Sequence, residues 1–520
     1  MKKVIFTVCA IVVTALLLSS CGRVSEESYE EPYNEEIAEV YENRSEETTI
    51  DGLNETTEVS AYIHQPILTT AHLLDDLDYI LNFFENNFAL FDAVYWAHGM
   101  DIYTIIENLR ATILSNPDMD VDEFFHTLFD YFIPSLVNNI AHFWFLMPGD
   151  YQHASISQAF SRSARARLSQ PHVLSFYEPR QREFEARNEE DEIEEFLRYS
   201  NALEHFFNVR LSPWLAIHGR NDLADELALA FLELNEANAG DVMRLFNYAD
   251  GLIYNAPNVT TRILDEGRIA YMSVNSFMSY PIPRDEMMQI YNFYEDIRDF
   301  EHLIIDLRVN GGGIVHWFYS ALVSPNIETP FTVEGFVFLV YGEYISYYVT
   351  PRNLPTLFRP ATSGITPIGT QLFTIDEILA DHDLPELNLA DMERMDYGFR
   401  IHTTVNPRVH YPRFSTESTF SGEIWILTGP LMGSAAQISA WVVKESGFAT
   451  LVGETTGGNY GGPRTLVTLP NSGIAFQIDM FYVTDSHGRP LEAGTVPHIF
   501  NREGMDALET VLAVIAEGDY

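Results

Sequence analysis

Thiols are nearly absent from this chain: its 520 residues contain only Cys9 and Cys21. A disulfide framework and a cysteine metal site are therefore excluded. Basic side chains are also scarce, with 30 Lys and Arg against 75 Asp and Glu and a net charge of −45. Nucleic acid is excluded as a partner, because neutralising phosphates needs clustered cations. After residue 21 there is no apolar run long enough to span a bilayer as a helix. No internal repeat of solenoid period is present. The histidines are dispersed, with no metal-ligand spacing, and neither a phosphate-loop lysine nor the dinucleotide spacing of glycines occurs. No metal and no cofactor are expected.

What is present begins at the N-terminus. Met1-Lys2-Lys3 and the apolar run Val4 to Leu18 have the basic and hydrophobic parts of a secretory signal over residues 1–20. The run ends in Leu18-Ser19-Ser20-Cys21-Gly22, which resembles the bacterial lipobox. That resemblance implies diacylglycerol on Cys21 after cleavage, and an extracytoplasmic protein held at the cell membrane by its lipid. Each buried methylene would contribute about 0.8 kcal/mol to the anchor. Residues 21–60 are dominated by Glu and Asp, with Arg23 and Arg44 as the only cations and no sustained apolar period. They read as a disordered, self-repelling tether.

Over residues 61–150 the pattern turns helical. Leu73, Leu74, Leu77, Ile80, Leu81 and Phe84 recur at three-four spacing, as do Phe124, Phe125, Leu128, Phe129 and Phe132. Residues 151–255 are helix-like and more charged, with an acidic patch at Glu189 to Glu192, and read as a helical cap or insertion. The character changes to α/β over residues 256–520. Ile269 to Val274 predicts a strand, Glu286 to Phe300 a helix and Leu303 to Leu307 a buried strand. The order returns with Ile424 to Leu427, Ala435 to Glu445 and Ala449 to Val452. Strand, helix and strand in that order predict right-handed crossover units. Residues of about 325–421 mix short strands, prolines and a helix-like piece near Ile375 to Leu379, and read as an insertion over the core.

Two loops can carry chemistry. In Asp306-Leu307-Arg308-Val309-Asn310-Gly311-Gly312-Gly313, three glycines after a buried strand let backbone amides approach a ligand and stabilise an oxyanion. The same glycines also suit a tight turn. In Thr428-Gly429-Pro430-Leu431-Met432-Gly433-Ser434-Ala435-Ala436-Gln437, a serine enters a helix, where the dipole favours developing negative charge. That position suits a nucleophile, and equally an ordinary helix cap.

Taken in order, Asp306 to Gly313, Ser434-Ala435-Ala436 and Val452-Gly453-Glu454-Thr455-Thr456-Gly457-Gly458 resemble the signature elements of the carboxyl-terminal processing (tail-specific) protease family. The resemblance implies a crotonase-like (ClpP-like) α/β core of ββα units, joined here by the N-terminal helical region and a helical insertion. It implies a serine endopeptidase acting on protein or peptide substrates, with Ser434 as nucleophile and an oxyanion hole from Gly311, Gly312 and the Ala435 amide. The best-known branch uses a lysine base, but Asn459 stands at that position. An amide cannot accept the serine proton, so the resemblance turns to a tricorn-like branch using Ser, His and Glu. Leu136 to His142 resembles the family's Leu-x-Asp-x-His segment and nominates His142 as base. Leu491 to Pro497 resembles the Glu-Gly-x-Gly-Val-Pro segment and nominates Glu492 to orient the imidazole. His316 and His498 are rival bases, and Arg308 is expected to brace the glycine loop through a carboxylate pair. Residues 151–249 lack the short strands and carboxylate loop of a PDZ module. The alternative function is a non-catalytic binding protein for apolar ligands or peptides on the same fold.

Overall fold

The computed structural model describes residues 68–132, 140–156, 162–278, 281–346, 348–357, 365–407, 420–458, 462 and 464–518. The signal sequence, Cys21, the acidic tether and Asn459 lie outside the described residues.

The periodic leucines and phenylalanines of the N-terminal region form helices. Helix Thr70–Asn87 starts at a capping box between Thr69 and His72 and buries Leu73, Leu77, Ile80, Phe83 and Phe84. Helix Val121–Phe132 buries the five predicted apolar residues. In the cap region, Asn188 opens helix Glu189–Arg198 by accepting the N–H groups of Glu190 and Asp191. The acidic patch thus forms a first turn, where carboxylates offset the positive end of the helix dipole.

Fourteen strands are described. In chain order they are β1 (Trp144–Phe145), β2 (Val259–Asp265), β3 (Ile269–Val274), β4 (His302–Asp306), β5 (Phe331–Leu339), β6 (Thr366–Pro367), β7 (Phe373–Thr374), β8 (Tyr397–Val405), β9 (Glu423–Thr428), β10 (Thr450–Gly453), β11 (Arg464–Thr468), β12 (Ala475–Asp479), β13 (Tyr482–Thr484) and β14 (Ile499–Phe500). A six-stranded sheet has the order β14-β10-β9-β4-β3-β2. It is parallel from β14 to β3, with β2 antiparallel at one edge. Its strands β3 and β4 are buried along their whole length, as expected of a parallel sheet covered on both faces. Helices Arg284–Asp296 and Ala435–Ser446 are the crossovers the sequence predicted.

Residues 325–421 contain the expected short strands, β6 and β7, and a helix at Ile375–Asp381, together with two longer strands. The longer ones are β5 and β8, nine residues each, paired antiparallel along their full length. These two strands form the centre of a second sheet, β13-β5-β8-β6, with β7 also on β8. In β8 Phe399, Ile401 and Val405 are buried and Thr404 is exposed, but buried Gly398 and Thr403 interrupt the apolar period that would mark the strand in the sequence.

The third sheet, β1-β12-β11, joins the helical region to the rest. Phe84, Phe132, Phe143, Phe145 and Phe476 meet there with ring centroids 5.3–6.3 Å apart. Aromatic contacts of this kind contribute about 0.5–1.5 kcal/mol each beyond burial. Buried Asp76 on helix Thr70–Asn87 accepts the N–H groups of Asn471 and Ser472, both at 2.8 Å, and so fixes the turn between β11 and β12.

Asp250, on helix Ala239–Asn255, is buried, and burial pushes its carboxyl up to about 7. The folded state then holds a proton that the unfolded state, near 3.8, releases. The contribution is full below pH 4 and falls as pH rises through about 7, at roughly 1.4 kcal/mol per pH unit. Urea midpoints at pH 5 and pH 8 are expected to differ less for Asp250→Asn than for wild type; an equal difference in both proteins contradicts this assignment.

Candidate active site

The glycine loop follows β4 and the Ser434 turn follows β9, and these two strands are hydrogen-bonded neighbours, with Asp306 opposite Leu427. Both loops therefore leave the sheet side by side at the carboxyl ends of its strands, where open α/β sheets place their sites.

Ser434 stands immediately before helix Ala435–Ser446, yet its side chain makes no capping hydrogen bond. Its backbone has φ 54° and ψ −122°, a conformation that costs a non-glycine residue about 1–3 kcal/mol. The surrounding turn enforces it. Ser434 N–H donates to Gly458 O at 3.2 Å, and Gly457 N–H donates to Met432 O at 2.7 Å. The Thr455 to Gly458 segment is in turn locked to the loop bearing Glu492. A Cβ at Gly458 would lie 2.0 Å from Glu492 O, and one at Gly494 would lie 2.0 Å from Thr456 O. Beneath the turn, buried Gln437 donates to Thr495 Oγ1 at 2.9 Å and accepts from Thr456 Oγ1.

The Ser434 Oγ is 3.2 Å from His142 Nε2, and His142 Nδ1 is 2.6 Å from Asp479 Oδ2. The β1–β12 register explains this meeting. Trp144 pairs with Gln477 and Phe145 with Phe476, so extending the pairing two residues places His142 opposite Asp479. Gln477 Nε2 donates to His142 O at 3.2 Å and holds that extension. Phe143, next to His142, enters the aromatic core, while the imidazole projects to Ser434. Asp479 is fully buried at the end of β12, and burial pushes its carboxyl up while the imidazole beside it opposes the shift. An imidazole so held can remove the hydroxyl proton of Ser434, and a carboxylate at Nδ1 fixes its tautomer.

The expected place of Glu492 at the imidazole is corrected: the carboxylate on Nδ1 is Asp479. Glu492, buried in the Leu491–Ala493 turn, accepts the Ala141 N–H on Oε1 at 2.9 Å and lies 3.6 Å from His98 Nε2. Ala141 and His142 have φ 48° and 47°. The carboxylate thus satisfies a buried amide in the left-handed bend that aims the imidazole. Asp479 lies outside the segments that carry the family resemblance. A signal existed, since Asp479 is a lone acid in the apolar run Ile474 to Val483, and an acid in a buried strand needs a partner.

At the oxyanion position, the Ala435 N–H, first of its helix, has no acceptor among the described residues. A Cβ on Gly312 would lie 2.9 Å from Ala435 N and 2.9 Å from Ser434 Cβ, so glycine keeps this space open. The Gly312 amide itself departs from expectation, because it is donated to Asn310 Oδ1 at 2.9 Å. Gly312 therefore contributes clearance. Gly311 lies one residue away in the same loop. Arg308 braces the loop as expected, with Nε and Nη2 on Asp306 and Nη1 2.9 Å from Asp506. The rival histidines are placed elsewhere: the His316 ring lies tilted against Tyr319 with centroids 5.9 Å apart, and His498 Nδ1 accepts the Leu451 N–H at 2.9 Å on β10.

Residues 268–500 match the model of Peptidase family S41. Among solved structures, the chain is similar to one described as that of a peptidase from Parabacteroides merdae, at 13% identity and TM-score 0.43, covering 85% of this chain and 96% of that one. It is similar to mature CPAF complexed with lactacystin at 12% identity and TM-score 0.44, covering 86% and 99%. A photosystem II D1 C-terminal processing protease matches at 14% identity and TM-score 0.27, over 48% of this chain and 50% of that one.

The strain at Ser434 is testable without any assay of turnover. Ser434→Gly is expected to be more stable than Ser434→Ala by about 1 kcal/mol in urea unfolding, because only glycine adopts this conformation freely. Equal stability of the two variants contradicts a strained turn.

Proposed function

We propose that this protein, whose residues 268–500 match the Peptidase family S41 model, cleaves proteins or peptides through an acyl-enzyme on Ser434. The carrying observation is the chain of contacts from Ser434 Oγ through His142 to Asp479, at 3.2 and 2.6 Å. His142 Nε2 takes the hydroxyl proton as Oγ attacks the substrate carbonyl. The new oxyanion faces the Ala435 N–H, and the loop at Gly311 and Gly312 bounds the space it fills. The imidazolium is stabilised through Nδ1–H by the Asp479 carboxylate, then returns its proton to the leaving amine. Water, deprotonated by the same imidazole, hydrolyses the ester. Glu492 acts on this sequence through the backbone bend before His142.

The parallel strands β3, β4, β9, β10 and β14 support a crotonase-like core. The helices between Tyr151 and Asn255 support a branch without a PDZ module. The lipobox-like Leu18 to Gly22 supports diacylglycerol on Cys21 and an extracytoplasmic, membrane-anchored enzyme.

On an unfolded protein such as casein, Ser434→Ala and His142→Ala are expected to lower cleavage by about 10⁶-fold, and Asp479→Asn by about 10⁴-fold. Glu492→Gln, which keeps an acceptor for the Ala141 amide, is expected to cost less than Asp479→Asn. Cleavage that survives Ser434→Ala defeats the proposal, and a larger loss from Glu492→Gln than from Asp479→Asn reverses the two acids. For the anchor, Cys21→Ala should move the protein from the membrane to the soluble fraction; persistence at the membrane contradicts lipidation there.

A further inference from the structure

Arg210 lies in a single π-helical turn, Phe207–Leu211, of the cap region. Such turns are uncommon and recur at functional positions. Its guanidinium reaches the glycine loop. Nη1 is 2.8 Å from where a Cβ on Gly311 would stand, with Cζ at 3.8 Å and Nη2 at 3.9 Å. The next residue, Gly312, is the one packed against Ser434 and the Ala435 amide. A cation therefore stands within a residue of the place where the scissile carbonyl would be held.

Among the described residues no group neutralises that cation. Among the described residues Arg210 donates no hydrogen bond and forms no ion pair. Burial pushes its pKa down to about 10, and no carboxylate opposes the shift. Nearby Arg308 behaves differently, being bound to Asp306 and Asp506, so the loop already has its structural brace. In a chain of net charge −45, keeping a buried arginine apart from every described acid is costly to the folded state. An incoming anion would recover that cost, and a planar guanidinium fits a carboxylate through two parallel hydrogen bonds.

We propose that Arg210 is a specificity-determining residue that receives a carboxylate of the substrate beside the scissile bond, from an acidic side chain or a free chain end. This assignment rests on the peptidase reading above.

The test uses the full-length protein and a peptide identified from its casein digest. Each residue flanking the cleaved bond is replaced in turn by the pairs Asp/Asn and Glu/Gln, and the peptide is also shortened to end near that bond as free acid or amide. Wild type is expected to prefer the carboxylate member at one position by roughly 10- to 100-fold in kcat/KM, the factor of a charge-assisted hydrogen bond. The side-chain pairs and the acid/amide pairs distinguish the two sources. Arg210→Gln should bring that ratio to about one, and Arg210→Lys should keep part of it, which separates lost recognition from a folding defect. A wild-type ratio near one at every position overturns the proposal. So does a ratio that survives Arg210→Gln, or an equal loss on acidic and neutral peptides. Absence of Ser434-dependent cleavage of any substrate would instead remove the peptidase reading itself.

Discussion

A two-residue strand, Trp144–Phe145, pairs antiparallel with β12, and the geometry of the site follows from that register. A strand so short holds its place through its neighbours: Phe143 and Phe145 are fixed in the aromatic cluster, and Gln477 reaches the His142 carbonyl. A slip of one residue would carry the bend at His142 about 3.4 Å along β12 and take the imidazole away from both Ser434 and Asp479. The turn before β12 is itself tied down by Asp76 from the first helix. Thus the helical region, which contributes no nucleophile, sets where the imidazole points.

The second constraint is backbone strain, and it is concentrated at the site. Among the described residues, the non-glycine positions with positive φ are Ala141, His142 and Ser434. Each strained segment is braced by the loops around it: the Glu492 carboxylate serves the bend at Ala141, and the Thr455 to Gly458 segment serves the turn at Ser434. The glycines at 458 and 494 let these two bracing loops touch backbone to backbone. The motif Gly-Glu-Thr-Thr-Gly-Gly therefore has a mechanical meaning here. It couples nucleophile and bend in one unit, so that neither relaxes alone.

The local elements were legible in the sequence because their information is local. Period and turn residues located β3, β4, β9, β10 and the helix after Ser434, and the order of motifs brought Ser434, His142 and the glycine loop together. Two things were not legible. The first is β5 and β8, whose pairing joins residues 58 to 74 positions apart and whose alternation is diluted by glycine and threonine. The second is the carboxylate on His142. Asp479 and Glu492 are both buried acids near one end of the same chain segment. Which of them meets Nδ1 depends on the pairing of β12 with a strand more than 300 residues earlier. A lone acid in an apolar strand marks a partner, but not which one.

The claim at the centre of this account is that His142, held by Asp479, activates Ser434. Covalent trapping with a fluorophosphonate, followed by intact-mass measurement and peptide mapping, addresses it without knowledge of the substrate. The account predicts one adduct, on Ser434, and its loss in His142→Ala. No adduct in wild type, an adduct on another serine, or undiminished labelling in His142→Ala would contradict it.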